Sequence, residues 1–88
     1  MPAMRTIHYS GAATTTPAKV TLSVGLAQRI NVRNLDGTNG LDVSFDGGRS
    51  FYTILATSVP LDIACSLHFF WVRSTAAVVN WCAVTNEG

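Results

Sequence analysis

Charge is what this 88-residue sequence has least of. Asp, Glu, Lys and Arg make up 12% of it, about half the ~25% usual in soluble domains. The six basic residues (Arg5, Lys19, Arg29, Arg33, Arg49 and Arg73) are scattered, and the net charge is +1. Without a basic run or stripe there is no electrostatic footprint for nucleic acid. No apolar run reaches the ~18 residues of a spanning helix, so a membrane is not an expected partner. The stretch Met1-Pro2-Ala3-Met4-Arg5-Thr6 lacks the apolar core of a signal peptide, which makes the cytoplasm the expected place of synthesis. Cysteine is scarce. Cys65 and Cys82 have no His or Cys neighbours at zinc-ligand spacing. They read as small buried hydrophobes or, where their strands are neighbours, as a disulfide. Histidine is limited to His8 and His68, each inside a strand pattern, and no serine stands in a Gly-x-Ser-x-Gly elbow. These absences leave no expected catalytic residue, metal site or cofactor.

Hydrophobic residues, by contrast, are 48% of the chain. At this length one domain is expected, burying roughly 60–70% of its unfolded surface around a thin core. So many apolar residues with so few charges imply that part of the surface is covered by other subunits. A monomer with a Ser-, Thr- and Asn-rich exterior is the competing expectation.

The most informative stretch runs from Leu41 to Phe51. Leu41, Val43 and Phe45 alternate with Asp42, Ser44 and Asp46, the period of a half-buried strand. Asp46-Gly47-Gly48 then predicts a tight hairpin turn needing positive φ, with Phe51 to Leu55 as the returning strand. The same alternation predicts strands over Met4 to Tyr9, Lys19 to Val24, Gln28 to Leu35, Leu61 to Cys65 and Ala77 to Val84. Leu67 to Arg73, apolar on both faces, reads as one central or interface strand. Between them, Gly11 to Pro17 reads as a surface loop or an arm on a neighbouring subunit, Asp36-Gly37-Thr38-Asn39-Gly40 as a turn, and Thr85 to Gly88 as a polar tail. The fold class is all-β: seven or eight strands spaced as in a small antiparallel β-sandwich or barrel. Residues 1–18 form an N-terminal strand, arm and loop, and residues 19–88 the sandwich, within a single domain.

The chemistry-bearing residues read as structural. Asp42 and Asp46 stand on one side of a strand roughly 13 Å apart at ~3.3 Å per residue, beyond the ~5–9.5 Å of glycosidase carboxylate pairs. Asp46 and Asp36 are expected to bind the amides of their own turns, with Gly37, Gly40, Gly47 and Gly48 as the other turn-forming residues. Asp36 to Gly40 lacks the spacing and distal Glu of a calcium loop, and Asp46-Gly47-Gly48 leads into a strand rather than a phosphate-binding helix. Among the aromatics, Phe69, Phe70, Trp71 and Trp81 are the candidate interface residues, with core packing and a sugar-stacking platform as the other uses.

Ile30-Asn31-Val32-Arg33-Asn34, followed by Val43-Ser44-Phe45-Asp46-Gly47-Gly48-Arg49-Ser50-Phe51, resembles small structural proteins of tailed bacteriophages. Those proteins show a strand ending in Asn, then a V-S-F-D-G-G-x-T/S-F/W hairpin. Val59 to Ile63, Phe70 to Ser74 and Val78 to Val84 match the strands that follow, so the likeness spans roughly residues 28–84. The bulky Phe69-Phe70-Trp71 cluster and the two cysteines depart from the pattern. The resemblance implies a virion component, made in the host cytoplasm, with a β-sandwich or jelly-roll-like core. Within that group it implies a non-enzymatic capsid decoration or cement protein. Its partners are then the major capsid protein and further copies of itself, a trimer among the arrangements. A neck, tail or baseplate component and a small carbohydrate-binding module are the alternatives.

Overall fold

The alternation resolves into eight strands in a computed structural model that describes residues 5–88. They are β1 (Arg5–Ala13), β2 (Ala18–Thr21), β3 (Ala27–Asn34), β4 (Leu41–Ser44), β5 (Tyr52–Ile54), β6 (Leu61–Leu67), β7 (Phe69–Ser74) and β8 (Val79–Glu87). No helix occurs among the described residues. One four-stranded sheet has the order β1-β8-β3-β6 and the other β2-β7-β4-β5. Every pairing is antiparallel. First pairs with last, second with seventh, third with sixth and fourth with fifth, as when one long hairpin is rolled up. This is the eight-stranded jelly roll, so the sandwich expectation holds and the barrel alternative does not.

Each inner face is built from every second residue. On β8 these are Val79, Trp81 and Ala83, and on β7 Phe70 and Val72, all buried. Phe70 touches both sides of the core. Its ring meets Trp81 of the opposite sheet nearly edge-on, with centroids 5.8 Å apart at 77°, a favoured aromatic geometry. On its own sheet it packs 6.3 Å from Phe45.

Four sequence expectations need correction. Leu67 to Arg73 is not one strand. It breaks at His68, where the chain passes from the β6 sheet to the β7 sheet. Uniform hydrophobicity hid that corner because Leu67 and Phe70 each face the core from a different sheet. The hairpin after β4 is not tight, since the connection runs from Phe45 to Phe51. Gly47 and Gly48 do take positive φ, at 80° and 86°. Gly11 to Ala13 continue β1, which pairs with β8 from Arg5↔Glu87 to Ala13↔Val79. Likewise, Thr85 to Glu87 are β8 rather than a tail. At the chain start, Met4, the expected beginning of the first strand, lies outside the described residues.

The neighbouring aromatics on β7 give a direct test of this alternation. Phe70→Ala, at a fully buried site, is expected to lower unfolding free energy by about 3–5 kcal/mol. Phe69→Ala, on the outer face of β7, is expected to cost about 1 kcal/mol or less. Urea denaturation of both variants checks this.

Candidate functional site

Antiparallel strands send alternate connections to opposite ends of the sandwich. The β1–β2, β3–β4, β5–β6 and β7–β8 connections share one end, and hydrogen bonds tie them together. The Ser74 amide donates to the Thr14 carbonyl (2.7 Å) and the Thr75 amide to the Gly40 carbonyl (3.1 Å). Asn34, buried at the end of β3, donates its side-chain amide to the carbonyls of Asn39 and Ile54 (2.9 Å each) and accepts from the Asp36 amide (2.8 Å). Gly40 is needed by close approach, because a Cβ there would lie 3.0 Å from the Thr53 methyl and 3.3 Å from that of Thr75.

This end is nearly free of charge. The four connections hold a single charged residue, Asp36. Its carboxylate accepts from the amides of Thr38 (2.9 Å) and Asn39 (2.5 Å). Those bonds, Asn39 first, hold its pKa below the ordinary carboxylate value. Around it, Leu35, Leu55 and Val78 expose more than half of their surface and Val59 exposes 83%. Leu55 and Val59 also line a shallow cleft of about 400 Å³ together with Tyr52 and Leu61, between the edge strands β5 and β6. At the tip of the β5–β6 connection Thr57 has φ 60°, a left-handed conformation that is unusual for a β-branched side chain.

At the other end the turns are organised by carboxylates. Asp46 accepts from the Ser44 hydroxyl (2.7 Å), the Ser50 hydroxyl (2.5 Å) and the amides of Arg49 (3.1 Å) and Ser50 (3.0 Å). Led by the Ser50 and Ser44 hydroxyls, these bonds hold its carboxyl far below the ordinary range. Glu87, fully buried, accepts from the Tyr9 hydroxyl (2.6 Å), the Thr85 hydroxyl and the amides of Val24 (2.9 Å) and Gly25 (3.3 Å). Burial pushes its pKa up, but the four hydrogen bonds outweigh that and leave it below the ordinary 4.5. Glu87 thereby fastens the β2–β3 connection and β1 to the end of β8.

The remaining carboxylates lie on the outer faces. Asp42, buried on β4, binds Arg73 Nε (2.8 Å) and the Thr53 hydroxyl (2.5 Å). Asp62 pairs with Arg29 (3.0 Å). All five acidic residues of the chain are thus engaged within the fold. His8 and His68 are both exposed. Cys65 and Cys82 are free thiols. Cys65 packs against the core from β6, where burial raises its pKa, whereas Cys82 stands on the outer side of β8, so no disulfide joins them. Among the described residues, no three His, Cys, Asp or Glu side chains gather as metal ligands.

The candidate interface residues divide by strand alternation. Phe70 and Trp81 are core side chains, which corrects their assignment to an interface. Phe69 and Trp71 lie on the outer face of β7. There Lys19 sits over the Phe69 ring at 4.2 Å, and Arg73 covers Phe51 at 3.9 Å. Of the turn residues, Asp36, Gly40, Asp46, Gly47 and Gly48 have the specific contacts or backbone angles described, and Gly37 lies in its turn with open space around it. Sequence reasoning missed the apolar loop end, which only the topology assembles. It also missed Glu87, although Thr85 and Glu87 extend the inward series Val79, Trp81, Ala83. Comparison with protein-family models, curated proteins and solved structures finds no match to this chain.

A depressed native pKa means that Glu87 contributes stability that is fully present above about pH 5 and is lost as pH falls through its native value. Glu87→Gln is expected to cost about 1–3 kcal/mol at neutral pH, with the deficit shrinking in acid. Denaturation of both proteins across pH 3–7 measures it, and a pH-independent gap contradicts the assignment.

Proposed function

We propose that this protein is a non-enzymatic structural component of a tailed-bacteriophage virion, a decoration or cement protein that docks on the head shell and bridges coat subunits. The observation that carries this reading is the uncharged loop end, where Leu35, Leu55, Val59 and Val78 project around a strained connection. Four large apolar side chains on one end of so small a domain favour burial against another protein. The jelly roll is a fold common to viral capsid and lectin domains, which supports the reading by analogy of architecture. Internal engagement of all five carboxylates also fits a scaffold better than a reaction centre. The carbohydrate-module alternative has less support. A sugar platform presents bare rings, whereas Phe69 and Phe51 are each covered by one of the protein's own cations.

The mechanism is burial of area without chemistry. Each copy removes its apolar end from water, and repetition across a lattice adds avidity to modest single contacts. Particles lacking the protein are expected to rupture at lower temperature and milder osmotic shock, and added wild-type protein to restore them. The double variant Leu55→Lys/Val59→Lys, at two exposed positions, is expected to fold normally yet bind particles at least about tenfold more weakly. Equal particle resistance with and without the protein overturns the proposal.

A further inference from the structure

The β6 strand ends its sheet, so the backbone groups along one side of Leu61–Leu67 have no strand partner among the described residues. Edge strands are commonly guarded by Lys, Pro, shortness or a bulge that turns them away. This one has none of those guards. It is seven residues long, holds neither Lys nor Pro, and alternates without interruption from Leu61 to Leu67. The irregularity in its pairing with β3 falls at Ala27–Arg29 of the neighbouring strand. Its one charge, Asp62, is held by Arg29 on the outer face. Leu61, Ile63, Cys65 and Leu67 all pack against the core and are all left half-buried.

The strand is also complementary to itself. Laid antiparallel against a second copy about a two-fold axis through Ala64, it sets Ala64 beside Ala64 and Ile63 beside Cys65. Leu61 then faces Leu67, and Asp62 faces Ser66. Opposed residues share a face in an antiparallel ladder, so every inward apolar position meets an apolar one. Outward, the only charge meets a hydroxyl, and the position on the axis holds the smallest side chain of the strand. The other edges fit less well. β2 and β5 span four and three residues. Pairing β1 about its middle would oppose Tyr9 to itself and Ile7 to Gly11.

We infer that the isolated protein dimerises through antiparallel pairing of β6 with β6 of a second copy, centred on Ala64, forming one eight-stranded sheet across the two. Both β5 strands then lie on the same side, and their shortness leaves room where the sandwiches meet. This goes beyond the virion reading, because it concerns the free chain and holds or fails without a particle.

The test combines mass and cross-linking. Analytical ultracentrifugation of the native chain is expected to show a reversible dimer. In a Cys65→Ser/Cys82→Ser background, Ala64→Cys sets two thiols opposite each other, at a spacing a disulfide spans. Mild oxidation is expected to yield a covalent dimer, whereas Ser66→Cys, opposite Asp62, stays largely uncrosslinked. Ala64→Glu sits opposite Arg29 within one copy, so the monomer keeps its fold while two like charges meet on the axis. Its dimer dissociation constant is expected to rise about tenfold or more. A native monomer, a native trimer, or a dimer in which the thiol introduced at position 64 stays reduced overturns the inference.

Discussion

The meeting of Phe70 and Trp81 in the middle of the sandwich is the contact on which the rest depends. Phe70 belongs to β7 in one sheet and Trp81 to β8 in the other, and their rings touch edge-to-face at 5.8 Å. A domain this small has room for few large side chains between its sheets. Placing two aromatics there fixes which face of β7 and of β8 turns inward. The sheet neighbours of those strands then follow, because a one-residue slip would expose every apolar residue of the slipped strand.

Around that centre the molecule divides its few charges by position. One end is fastened by carboxylates, with Asp46 gathering the β4–β5 connection and Glu87 joining β1, the β2–β3 connection and β8. The opposite end is fastened by the Asn34 side-chain amide and by backbone hydrogen bonds between connections. Holding that end together without ionic groups leaves an apolar surface with little desolvation cost on docking. The low charge seen in the sequence is therefore concentrated into a place, which composition by itself does not reveal.

Much of the fold was legible in the chain. Strand alternation located seven of the strands closely, and the positive φ of Gly47 and Gly48 followed from the Asp46-Gly47-Gly48 run. What escaped did so for physical reasons. The corner at His68 is hidden because the residues on either side are apolar for two different sheets. The loop after β4 is longer than a tight turn because Asp46 collects amides as far on as Ser50. Phe70 and Trp81 resemble Phe69 and Trp71 as residue types, and only their parity within β7 and β8 decides which ones are buried. The apolar end joins residues more than forty positions apart in sequence, Leu35 and Val78 among them, so no local pattern announces it.

The central claim is that this sandwich completes its burial on a repeating protein shell. Quantitative mass spectrometry of purified virions, counting copies of this chain against the major coat protein, tests it most directly. Decoration predicts a copy number comparable with that of the coat protein. A chain present at a few copies per particle, or absent from the particle, would contradict it.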